Sequence, residues 1–128
     1  MYKKLESVYN IKHDSEIEGE EYWKTYKTEQ IKTIKSDDIL EPDHESVFIK
    51  IDVEGHEDLV INGGMQYFSN CIDCSVFLEN HTSFLKNKKA HPYHVINFLT
   101  EKGFTNKKIG EERKKDETHL EFFILEKK

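Results

Sequence analysis

The sequence predicts an α/β fold: parallel strands with helices between them, finished by an antiparallel hairpin. Three observations carry this expectation. Residues 47–53 are β-branched or aromatic at most positions, the pattern of a strand buried on both faces of a sheet. A helix start near His56 or Glu57 and a second apolar strand over residues 76–79 follow, and strand, helix, strand at this spacing makes a βαβ unit with a right-handed crossover. Two further strand-like runs, residues 104–109 and 120–125, close the chain around a charged loop, which reads as a hairpin.

Taken in order, residues 1–27 are charged and aromatic without firm periodicity, with Tyr9, Trp23 and Tyr26 as the larger apolar groups and Gly19 inside an acidic run. They read as loop with local helix. Residues 28–34 suit a short strand, and Ser36 suits the N-cap of a single turn over residues 37–40 that Pro42 stops. After the strand at 47–53, Glu57 and Asp58 stand in the first turn of a helix, where the positive dipole end favours anions. Gly63-Gly64 interrupts that helix, and residues 65–69 resume as a turn or second short helix. Pro92 suits a first helical turn, Val95, Ile96, Phe98 and Leu99 form an apolar stripe, and Gly103 is a natural residue just past the end. Two regions result: a poorly defined segment, residues 1–46, and an α/β region, residues 47–128.

Composition bounds the function. At 128 residues the chain suits a single domain, but its hydrophobic share of 36% is low against the usual ~45–50%. Net charge is −6, with acids and bases interspersed. That argues against a phosphate-binding surface, because nucleic-acid affinity rests on clustered Lys and Arg, so no nucleic-acid partner is expected. Arg113, Lys114 and Lys115 are flanked by Glu111, Glu112, Asp116 and Glu117 and read as a solvated hairpin loop. No apolar run approaches the ~20 residues of a membrane span, so no membrane partner is expected. Met1-Tyr2-Lys3-Lys4 leads into a polar stretch, which makes the cytoplasm the expected location. Cys71 and Cys74 form a CxxC that could be redox-active or half of a zinc site. A thioredoxin-like pair sits at a helix N-terminus, whereas this one follows a helix and precedes a strand, so two reduced packing cysteines are expected.

The chemistry concentrates at strand ends. In an open parallel sheet, ligands bind outside the carboxyl ends of the strands. Asp52 and Glu54 leave the first strand with a shared parity, hence on one face, and Glu79, Asn80 and His81 leave the second. Strands lie about 4.8 Å apart, so these carboxylates reach a common ligand. The cluster suits a divalent cation, with Asp52, Glu79 and His81 as candidate ligands, or a general base for a substrate hydroxyl. The structural alternative is that Asp52 and Glu54 cap Gly55 and the helix, or pair with Lys50, which shares their parity and needs a partner in a buried strand. His56 reads as a surface residue. His91 and His94, spaced i and i+3 about a helix start, could hold a metal but have no acid beside them, and a surface helix start is expected. Asn80-His81-Thr82 matches a glycosylation sequon, which has no force without a secretory context.

Ile49-Lys50-Ile51-Asp52-Val53-Glu54-Gly55, continued by Glu57 and by Asn62-Gly63-Gly64, together with Val76-Phe77-Leu78-Glu79-Asn80-His81, resembles the signature of the FkbM-type methyltransferases over roughly residues 30–125. The resemblance implies a partial Rossmann-like class I methyltransferase sheet and S-adenosylmethionine as methyl donor. It also implies O-methylation of a sugar or other small metabolite, with Asp52, Glu54 and Glu79 as catalytic carboxylates and Asp52 and Gly55 against the cofactor. The part resembled is the carboxyl-terminal half: the six glycines, Gly19, Gly55, Gly63, Gly64, Gly103 and Gly110, form no GxG turn after a predicted strand. A second reading is therefore a non-catalytic fragment or a partner-dependent subunit, in which a homo-oligomer or partner chain completes the sheet. A third is a metal-dependent hydrolase built on Asp52, Glu54 and Glu79.

Overall fold

The structure, a computed structural model, describes residues 5–7, 30–42 and 45–128. The expectations for Tyr9, Gly19, Trp23 and Tyr26 lie outside these residues. The chain divides into two compact units, Met1–Ile34 and Lys35–Lys128. In the first, β1 (Leu5–Ser7) pairs antiparallel with β2 (Ile31–Thr33).

The second unit opens with a 3-10 turn, Ser36–Asp38, and continues through β3 (Val47–Ile51), α1 (Glu57–Gly63), α2 (Met65–Asn70), β4 (Cys74–Asn80), α3 (Thr82–Asn87), α4 (His94–Glu101), β5 (Thr105–Lys114) and β6 (Glu117–Lys127). Its four-stranded sheet has the order β3-β4-β6-β5. β3 and β4 are parallel, β6 lies antiparallel to β4, and β5 is antiparallel to β6. This is the expected α/β architecture: a βαβ unit closed by an antiparallel hairpin.

Alternation along β4 sets the layers. Cys74, Val76, Leu78 and Asn80 are buried while the residues between them are half-buried, and Val76 and Leu78 face Leu125 and Phe123 across the β4–β6 pairing. Ile61 of α1, Tyr67 and Phe68 of α2, and Val95, Ile96 and Leu99 of α4 join this core. Each fully buried aliphatic or aromatic side chain contributes about 1.5–3 kcal/mol relative to exposure. The stripe expected for α4 is the face that packs, and Gly103, at φ +96°, ends the helix in the conformation that favours glycine. α2 is fastened from outside itself: the Asp37 carboxylate accepts hydrogen bonds from the Gln66 N–H at 3.1 Å and the Tyr67 N–H at 2.8 Å, satisfying two of the donors a helix start leaves open.

Several expectations are corrected. β3 is not buried on both faces: Ile51 is buried and Ile49 packs against the core, but Phe48 is 68% exposed and Lys50 is also exposed. Its residues alternate because, among the described residues, only one side of the strand enters the core. The charged stretch read as a hairpin loop is mostly strand. Lys114 pairs with Glu117, so the turn shrinks to Lys115 and Asp116, with Lys115 at φ +55°, and two register irregularities in β5 absorb the mismatch. Ser36 lies inside its turn, which Lys35 precedes as the cap residue. The helix α3 was not anticipated.

Cys71 and Cys74 are free and buried. Burial raises both thiols, Cys74 to about 12, which makes them packing groups rather than nucleophiles. Among the described residues, no helix is long and apolar enough to cross a membrane.

Candidate functional site

The loops leaving the carboxyl ends of β3 and β4 build the site. Ile51 is in register with Leu78, so Asp52 and Glu79, one residue further along each parallel strand, leave the sheet at the same level. One ligand atom each from Asp52, Glu79 and His81 lies within 4.8 Å of the other two. The convergence expected from two separate sequence segments is therefore present for these three residues. Lys50 Nζ stands 3.1 Å from Asp52 Oδ2 and 3.3 Å from Glu79 Oε1, and these hydrogen bonds raise the lysine above its ordinary value.

Glu54 is not part of this group. Strand alternation holds only in extended backbone, and β3 ends at Ile51. Beyond it, Glu54 takes φ +47° and Gly55 φ +94°, while the His56 N–H donates to the Val53 carbonyl at 3.2 Å. The shared parity of Asp52 and Glu54 is lost in this turn, and Glu54 is exposed. Lys50 accordingly pairs with Asp52 and Glu79. Gly55 is required on two counts: its backbone conformation, and a Cβ that would lie 2.6 Å from Phe84 Cβ.

Behind the acidic pair lies a buried dyad. Glu57, the first residue of α1, is 0% exposed, and its Oε1 accepts the Gly55 N–H at 3.1 Å and lies 2.7 Å from His81 Nδ1. Its other oxygen, Oε2, is buried and has no hydrogen-bond partner among the described residues. His81, 6% exposed, stacks on the Phe84 ring at 5.6 Å between centroids and 8° between planes. Burial pulls the imidazole down, but the Glu57 hydrogen bond and charge, helped by Asp52, outweigh it, and His81 lies above its ordinary value. Glu57 was legible only as a helix-start acid. The missed signal is its spacing: Glu57 and Ile61 are one turn apart and both buried, so a carboxylate occupies the apolar stripe.

A second polar group lies on the core side of the sheet, where Asn80 pairs with Glu121. The Tyr93 hydroxyl donates to Glu121 Oε1 at 2.7 Å, and Lys108 Nζ bridges Glu121 Oε2 and Glu111 Oε2, each at 2.7 Å. Asn80 donates through Nδ2 to the Pro92 carbonyl at 2.9 Å. His56 is exposed, as expected, and its Nδ1 lies 3.2 Å from the Val53 carbonyl. His91 and His94 do not act together: His91 Nδ1 accepts the Tyr93 N–H, while His94 Nε2 lies 3.2 Å from Asn62 Oδ1.

A family model, the Methyltransferase FkbM domain, matches residues 3–105. The chain belongs to the FkbM methyltransferase domain family. The match takes in β3, α1, β4 and every residue of the acidic site, and it ends at the first residue of β5. It reaches further toward the amino terminus than the motifs that first suggested it. Neither the curated proteins nor the solved structures compared with this FkbM-family chain gave a match. Family membership and the α/β sheet together assign the chain to the methyltransferases as a class.

Proposed function

We propose that the chain lines the cofactor and acceptor pocket of an S-adenosylmethionine-dependent methyltransferase and that the reaction is O-methylation of a sugar or other small metabolite. The observation that carries this reading is the meeting of Asp52 and Glu79 at the carboxyl ends of two parallel strands, level with each other in register, where such sheets bind their ligands. The cofactor supplies a methyl group on a cationic sulfonium. An exposed carboxylate, Asp52, beside the Gly55 turn suits a ligand of that charge. In this reading Asp52 and Gly55 face the cofactor, and Asp52 and Glu79 supply the carboxylates, one of which accepts the proton as the acceptor's O–H bond is replaced by O–CH3. Holding the acceptor oxygen in line contributes through proximity. The free buried thiols suit the reducing cytoplasm as the compartment.

Calorimetry with S-adenosylmethionine, and with its demethylated product, tests the proposal on the folded chain. A saturable heat that Asp52→Asn reduces is the expected result. Absence of binding by the folded chain rules out the autonomous enzyme. A second reading, a partner-dependent subunit, has its own observation: among the described residues β3 pairs only with β4, and Phe48 on it is exposed. An unpaired strand edge invites a further strand. A monodisperse monomer in light scattering counts against a homo-oligomer that completes the sheet.

A further inference from the structure

We propose that Asp52, Glu79 and His81 form a site for one divalent first-row cation, that Glu57 orients His81 as its ligand, and that Lys50 occupies the position in the cation's absence. Ligands held about 2.1 Å from an octahedral ion stand ~3 Å apart when adjacent and ~4 Å apart when opposite. The three donor atoms are already within 4.8 Å of one another, so side-chain adjustment of an ångström or two closes the shell. Two oxygens and one imidazole nitrogen make a mixed donor set that suits Mn²⁺, Fe²⁺ or Zn²⁺ better than an all-oxygen ion. Three protein ligands leave coordination positions open for the oxygens of a bound molecule.

Glu57 supplies the independent observation. Glu57 is fully buried, and its Oε1 lies 2.7 Å from His81 Nδ1, while its Oε2, with no hydrogen-bond partner among the described residues, makes the buried carboxylate costly to keep without a further role. Metal-binding histidines characteristically donate their second ring N–H to a carboxylate, which fixes the tautomer and the ring plane. In the tautomer that donates Nδ1–H to Glu57, the ring's lone pair is on Nε2. Stacking on Phe84 holds the ring in the same plane. Lys50 shows where positive charge is recruited: its ammonium sits against the same two carboxylates. Because the Lys50 side chain is 54% exposed, that contact is weak and displaceable.

Mn²⁺ titration of the full chain, read by the loss of the free-ion electron paramagnetic resonance signal, tests the site without reference to methyl transfer. One bound ion per chain is expected. Asp52→Asn, Glu79→Gln and His81→Gln each weaken it by at least tenfold, and Glu57→Gln weakens it by about 10- to 100-fold as an orienting residue. Lys50→Gln tightens it, and Glu112→Gln, an exposed carboxylate on β5, leaves it unchanged. Circular dichroism confirms that each variant is folded. Two results overturn the proposal: no bound ion at millimolar Mn²⁺, or binding that survives both Asp52→Asn and Glu79→Gln in folded protein. Neither bears on cofactor calorimetry, so the two readings fail separately.

Discussion

Gly55→Ala is the sharpest perturbation of the site's framework, because it strikes the turn that joins the acidic strand exit to the buried dyad. Two costs add. At φ +94° an L-residue is strained by about 1–2 kcal/mol. The new methyl would also lie 2.6 Å from Phe84 Cβ, a close backbone-proximal carbon that a rotamer change cannot move, and overpacking of this kind costs about 1–3 kcal/mol. The sum is a loss of about 2–5 kcal/mol. Gly103→Ala is the control, since Gly103 has nearly the same φ, +96°, but its added Cβ meets only the far end of Lys127, at 3.7 Å. Urea unfolding of both variants separates backbone strain from the clash: Gly55→Ala is expected to cost at least ~1 kcal/mol more. Equal midpoints, with unchanged slopes, would refute the reasoning and show that α3 is free to move away from the turn.

Two further predictions concern the core. An unfolded thiol ionises near 9.0, whereas buried Cys74 keeps its proton to about 12, so between those values the unfolded chain binds fewer protons and stability falls as pH rises. The stability difference between the wild type and Cys74→Ala therefore narrows by about 1.4 kcal/mol from pH 8 to pH 10, and a gap independent of pH by denaturant titration contradicts it. Asp37→Ala removes the carboxylate that accepts the Gln66 and Tyr67 N–H groups and costs about 0.5–2 kcal/mol. Asp38→Ala, in the same turn but exposed, is expected to cost little, and equal thermal shifts for the two would remove the capping role.

What the sequence made legible was what local pattern controls. Apolar runs placed β3, β4 and α4, those of β3 and α4 bounded by proline and glycine, and a motif at two strand ends placed Asp52 beside Glu79. Most of the misreadings share one cause, a partner remote in sequence, and Glu54 is the exception, lost to a local turn. Phe48 belongs to an apolar run, yet it is exposed because only one side of β3 enters the core among the described residues. Arg113 and Lys114 look like loop, but pairing with β6 carries the strand through them. Glu54 obeys strand parity on paper, and the backbone leaves the strand before reaching it. Asp37 caps a helix 29 and 30 residues away, and Glu57 meets His81 across 24; neither separation leaves a local trace. The one available clue was chemical: a charged residue one turn from Ile61 on the packing face of a helix.

The acidic pair can serve a cation or a proton, and the two uses make different demands. A carboxylate that holds a metal is neutralised by it and does not titrate freely near neutrality, whereas a general base must remain available to the acceptor's hydroxyl. Lys50 already imposes part of this conflict, since its ammonium contacts both Asp52 and Glu79. Removing Lys50 frees both carboxylates, and the two uses then differ in their response to ionic conditions. Cation affinity at the freed pair rises and is competed by Mg²⁺, whereas a base role is insensitive to added metal. If Lys50→Gln strengthens Mn²⁺ binding while cofactor heat is unaltered, Asp52 and Glu79 serve the cation first. The acceptor's proton must then leave toward another group or through an oxygen that the cation has made more acidic. If cofactor heat changes and Mn²⁺ does not bind, the carboxylates face the sulfonium directly and Glu57 is left as a positioning residue for His81 alone.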